Sequence, residues 1–137
     1  MKPPSIPTEG SPVSGIGDLE PKDHYVCVFV PSLTRDGRPL NHPFWRDETV
    51  LAMSRLFGGA TAVEGVGGWL DKEQGDRIKR EPVSIVVSFI TSNEWNQENL
   101  LELRAFLHRM GREAEQGEIG ILSDGVFERI RRFDNET

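Results

Sequence analysis

The chain has 137 residues, 36% hydrophobic and 28% charged, with a formal net charge of -6 and one cysteine. That length suits one domain able to bury a core, and an acidic balance gives no general attraction to phosphate backbones or anionic lipid, so nucleic-acid and membrane partners are not expected. The lone Cys27 excludes an intrachain disulfide and a cysteine-based metal set, and the apolar run Val83 to Ile90 is too short to span a bilayer.

Residues 1–22 carry five prolines and three glycines, with only Ile6, Val13, Ile16 and Leu19 as sizeable apolar residues. Such a segment buries too little surface to offset its ordering entropy, so it reads as a disordered or extended N-terminal arm ahead of a single α+β domain over 23–137. No apolar stretch follows Lys2, so no signal peptide is read and a cytoplasmic location is expected.

His24 to Pro31 has the β-branched and aromatic content of a strand. Val26, Val28 and Val30 share one face, and Tyr25, Cys27 and Phe29 share the other. Cys27 lies within this apolar run and reads as a buried thiol. Asp36-Gly37 marks a turn. Asn41-His42-Pro43 then opens a helix whose apolar face includes Trp45, Val50, Met53 and Phe57, and Gly58-Gly59 ends it.

The stretch Phe57 to Trp69 holds five glycines. It predicts a short strand over Ala60–Glu64, a bulge or bend at Gly65 to Gly68, and resumption at Trp69-Leu70. A polar hairpin loop over 71–76 leads into a third strand, Arg77 to Ile90, with Pro82 at an edge or bulge. Thr91 and Glu94 stand at capping-box spacing and predict the start of a second helix carrying Leu100, Leu103, Leu107 and Met110. A fourth strand follows over Gly117–Ser123, and Asp124-Gly125 predicts a tight turn into a closing hairpin, with a short terminal helix as the other reading.

Strand, helix, strand, strand, helix, strand is the split βαβ order of a ferredoxin-like α+β sandwich, an antiparallel sheet with both helices on one face. The reverse face also carries apolar residues, so it is expected to be covered, by the N-terminal arm, by another protein or, as the favoured reading, by a second copy packed sheet to sheet in a homodimer or higher oligomer.

The candidate ligand-binding residues are Thr61, Glu64, Trp69 and Glu81. Glycine-bearing backbone beside Thr61 can cradle an anion, although the segment lacks both the P-loop and the dinucleotide patterns. Glu64 and Glu81, on adjoining strands, are candidates for a carboxylate pair doing acid–base work or holding a divalent metal, with cross-strand pairing to Arg77, Lys79 or Arg80 as the plainer reading. Trp69 is either a cleft anchor or packing. The three histidines His24, His42 and His108 lack metal spacing, and no nucleophile-elbow motif is present, so no catalytic residue, metal or cofactor is assigned. Arg104, His108 and Arg112 form a basic stripe on the second helix, read as a solvated face.

Thr61-Ala62-Val63-Glu64, Gly67-Gly68-Trp69, Gly75 and Glu81-Pro82, preceded by Asp36-Gly37 and Trp45, form a pattern over Tyr25 to Phe89. It resembles a family of small bacterial proteins classed as a domain of unknown function, whose members are often exported. That resemblance implies no activity. The element order and glycine-bearing hairpin also look like PII-type signalling proteins, which implies nucleotide binding at subunit clefts as an analogy of fold. The function expected from the sequence is a non-enzymatic binding or regulatory module, homo-oligomeric, with a small-ligand cleft at the glycine-rich hairpin. The alternatives are a small hydrolytic or metal-assisted enzyme using Glu64 and Glu81, and a structural subunit docking through its N-terminal arm.

Overall fold

A computed structural model describes residues 15–134. The expected arm over 1–22 therefore lies largely outside the described residues, and residues 15–22 carry neither helix nor strand. The elements are β1 (His24–Val30), α1 (His42–Phe57), β2 (Thr61–Asp71), β3 (Arg77–Ile90), α2 (Gln97–Glu113), β4 (Ile119–Ser123) and β5 (Val126–Ile130), with a single 3-10 turn at Lys72–Gln74 between β2 and β3. They build one antiparallel sheet in the order β2-β3-β1-β4-β5, with β5 added beyond β4. The fold is the expected ferredoxin-like α+β arrangement.

Local chemistry sets the element ends. The Asn41 side chain accepts from the Phe44 amide, Pro43 stands in the first turn, and Gly58 closes α1 at φ 84 with its amide bonded to the Ser54 carbonyl. Thr91 and Glu94 do form a reciprocal capping box, the Thr91 amide donating to Glu94 at 2.9 Å and the Glu94 amide to Thr91 Oγ1 at 3.2 Å. It closes only a turn. α2 begins later, where the Asn96 side chain accepts from the Asn99 amide. The helix then runs through Gly111, and the Phe133 ring packs where a Cβ would stand. Asp124 and Gly125, at φ 47 and 85, make the two-residue turn that joins β4 to β5, so the closing hairpin forms.

The core lies between the helices and one sheet face. α1 buries Trp45, Thr49, Met53 and Phe57, spaced four apart, and α2 buries Leu103, Leu107 and Met110. The sheet contributes Val26, Val28 and Val30 of β1 and Ser84, Val86, Ser88 and Ile90 of β3. The longer apolar stripe of β3, Val83, Ile85, Val87 and Phe89, faces away from the helices. It shares that reverse side with Tyr25, Cys27 and Phe29, and Phe127 reaches it to pack edge-on against Phe29. Both sides are thus apolar, as read from the sequence, but the helices cover the stripe with the two serines.

β2 is not interrupted. Thr61 through Asp71 pair residue by residue with Val87 through Arg77, so the glycine run forms neither bulge nor bend. β1 reaches only Ser84 of β3. The outer half of the hairpin, Gly65–Asp71 against Arg77–Val83, therefore projects past β1 as a two-stranded ribbon.

Candidate functional site

Strand register decides which side chains meet. Glu64 pairs with Ser84, and both point to the helix side. Thr61, Trp69 and Glu81 pair with Val87, Lys79 and Gly67 on the alternate positions, which belong to the reverse side. Thr61 and Trp69 stand eight residues apart along an extended strand, roughly 27 Å. The four residues expected around one cleft are thus not brought together, and Glu64 and Glu81 stand on opposite faces rather than as a carboxylate pair.

Glu64 has other company. Ser84 Oγ lies 2.9 and 2.8 Å from the two Glu64 oxygens. His42 Nε2 lies 2.7 Å from the same Oγ, and its Nδ1 lies 2.8 Å from the Pro31 carbonyl. Arg46 Nη1 approaches Glu64 at 3.7 Å from the next turn of α1. Ser84 is fully buried, the His42 side chain is 15% exposed and that of Glu64 is 59% exposed. The cluster therefore runs from the protein interior to an open carboxylate at the sheet edge. Serine suits β3 at this point because the hydroxyl bridges two groups that an apolar side chain would strand.

Glu81 anchors the neighbouring turn. Its Oε2 accepts from the Ser32 amide at 3.2 Å, the Ser32 hydroxyl at 3.1 Å and the Leu33 amide at 3.0 Å. That turn directly follows Pro31, whose carbonyl orients His42, so Glu81 supports the Glu64 cluster at one remove. On the reverse side, Trp69, Lys79 and Glu81 line a groove of about 970 Å³ together with Arg35 and Arg131.

The basic stripe of α2 is not a free face. Arg104 bonds Asp134 at 2.6 Å, Arg112 reaches the Asp134 carbonyl, and buried His108 accepts the Asp134 amide at 2.8 Å while Phe133 packs on its ring. Cys27 is half-buried rather than fully buried as the sequence suggested, and that partial burial raises its thiol above the usual range. Among the described residues, no helix is long and apolar enough to cross a membrane, and no group of three or more His, Cys, Asp or Glu is poised to hold a metal.

Sequence reasoning singled out Glu64 but not Ser84 or His42. A signal was present, since Ser84 and Ser88 interrupt the apolar run of β3 four residues apart, on one face of the strand. Reading it required knowing which β3 stripe the helices cover.

The sequence matches no protein-family profile and no curated protein. The fold does have solved counterparts. A phage SAM lyase in complex with S-methyl-5'-thioadenosine is similar over 90% of this chain and 100% of its own length, with a TM-score of 0.62 and 12% sequence identity. A phage SAM lyase in the apo state is similar over 82% of this chain and 92% of its own, with a TM-score of 0.54 and 16% identity. At these identities the likeness establishes a shared fold. It also runs against the non-enzymatic module expected from the sequence, because both counterparts are enzymes and one holds a small ligand.

Proposed function

We propose that this chain is a small lyase acting on S-adenosylmethionine and releasing S-methyl-5'-thioadenosine. The observation that carries the reading is the full-length likeness to a lyase structure holding that thioether. The exposed Glu64 carboxylate, held from behind by Ser84 and His42, supplies the chemistry that a sulfonium substrate calls for.

Releasing that thioether requires breaking the bond between sulfur and the γ-carbon of the methionine moiety. The electron pair goes to sulfur and neutralises its charge. A lyase adds no water, so the γ-carbon takes its new bond from within the same fragment. The β-hydrogens there are not activated by an adjacent carbonyl, whereas the substrate's own carboxylate reaches the γ-carbon in a five-membered ring. The product pair is then the thioether and an amino lactone. Glu64 places negative charge beside the sulfonium and orients it for ring closure.

An open sheet edge cannot enclose a substrate of this size. On Glu64's side the ribbon exposes Val66, Leu70, Ile78 and Pro82, with Val66 71% exposed. Two-stranded ribbons are marginal alone, and an apolar stripe on one invites a partner. We therefore include self-association in the proposal, with a second copy of the chain closing the Glu64 site.

The test is incubation of purified protein with S-adenosylmethionine and chromatography of the products. Release of S-methyl-5'-thioadenosine, greatly reduced in Glu64→Gln, supports the proposal. Absence of release, or release unaffected by Glu64→Gln, defeats it.

A further inference from the structure

The hydrogen bonds at His42, Ser84 and Glu64 fix the number of protons they share. The Pro31 carbonyl is only an acceptor, so the 2.8 Å contact requires a hydrogen on His42 Nδ1. Two links remain, His42 Nε2 to Ser84 Oγ at 2.7 Å and Ser84 Oγ to Glu64 at 2.8 Å. The hydroxyl carries one hydrogen and can serve only one link as donor. The second hydrogen must sit on Nε2 or on the Glu64 carboxyl. The chain of contacts therefore carries one proton beyond a neutral imidazole and an ionised carboxylate.

We propose that His42, Ser84 and Glu64 form a proton-storing relay, in which His42 and Ser84 are positioning residues that set the charge and orientation of the Glu64 carboxylate. The relay has two forms. In one, His42 is an imidazolium, Ser84 donates to Glu64, and Glu64 is an anion. In the other, His42 is neutral, Ser84 donates to Nε2, and Glu64 is a neutral acid donating to Oγ. They interconvert by moving two hydrogens one step each along the chain, with no hydrogen gained or lost. A cation placed at the open end selects the first form. Its role in catalysis rests on the function proposed above.

The other charged groups around the relay are few. Arg46 of α1 lies 3.7 Å from Glu64 and is shared with Asp47, which accepts from its Nε at 3.1 Å. Glu81 of β3 is committed to the Ser32–Leu33 turn. His42 Nε2 and Glu64 Oε2 are themselves 3.7 Å apart.

Nitrogen-15 spectra of the histidine rings in the full-length protein test the relay without reference to turnover. Arg46, a cation 3.7 Å from Glu64, holds the resting relay in the first form, so the relay predicts hydrogens on both His42 ring nitrogens in the wild type. In Glu64→Gln the second is lost, since the amide can donate to Oγ while Ser84 turns to Nε2. Ser84→Ala, a small change at a buried position, should also lose it. Wild-type spectra with one protonated ring nitrogen, or a second hydrogen that persists in Glu64→Gln, overturn the relay. A second, kinetic readout follows thioether release, where His42→Gln should lower kcat with KM little changed; an unchanged kcat overturns the positioning role. Relay spectra without any thioether release would sink the lyase reading while leaving the relay intact.

Discussion

Replacing Glu81 by alanine gives a quantitative test of how the site is braced. One carboxylate oxygen receives the Ser32 amide, the Ser32 hydroxyl and the Leu33 amide at 3.0–3.2 Å. In the variant the hydroxyl can turn to water, but two partly buried amides lose their acceptor. A stranded buried amide costs about 1–3 kcal/mol, and partial burial takes the lower end, so Glu81→Ala should lose roughly 2 kcal/mol. For a domain of this size that corresponds to a fall in Tm of roughly 8 °C. Glu81→Gln keeps a carbonyl oxygen able to accept and should lose about half as much. Urea unfolding is the assay, with both midpoints falling and the slope unchanged. A Glu81→Ala protein within about 0.5 kcal/mol of wild type would refute the reasoning, because the turn would then be rehydrating without cost.

Three further outcomes are expected. Gly111→Ala should destabilise the protein despite the helix-propensity gain of about 1 kcal/mol, because the methyl displaces Phe133; a net gain in urea stability would contradict that packing. The Asp124 hydrogen bond raises the pKa of His24 above its ordinary 6.5. Burial alone would raise Asp124, but the His24 contact and the Tyr25 amide outweigh it and hold Asp124 below its ordinary 3.8. The His24 contribution is therefore complete below pH 6.5 and fades as pH rises through the folded value, while the Asp124 contribution is present above pH 3.8 and fades as pH falls through its folded value. Melting temperatures across this range should show a wild-type loss on the alkaline side that shrinks in Asp124→Asn; equal losses would contradict the pairing. Finally, Leu70→Asp on the ribbon should shift the light-scattering mass towards one chain, and an unchanged mass would remove the ribbon from the proposed self-association.

Much of the fold was legible because it follows from local chemistry. Asn41, Pro43 and Gly58 bound α1 by capping, and Asp124-Gly125 supplies the two positive-φ positions of a hairpin turn. Where sequence reasoning failed, a distant contact overrode a local signal. The capping box at Thr91 and Glu94 formed without starting a helix, since Asn96 provides the cap that α2 uses. Gly111 lies inside α2 as a seat for Phe133, a contact that only the folded C-terminal segment supplies. The glycines at 65, 67 and 68 suggested a break, yet they lie in unbroken register. Register was also the obstacle at the site. Once Asp71 pairs with Arg77, Glu64 must meet Ser84 and Glu81 must meet Gly67, on opposite faces. The proximity of Glu64 to β3 was readable from the hairpin, but its partner on α1 was not. His42 stands 42 residues from Ser84 in sequence and reaches it only because α1 packs across the sheet.

The central claim is best tested by running the S-adenosylmethionine reaction in heavy-oxygen water and analysing both products at early times by mass spectrometry. The account predicts S-methyl-5'-thioadenosine together with an amino lactone that carries no heavy oxygen. An amino-acid fragment labelled at the γ-carbon, or no thioether at all, would contradict it.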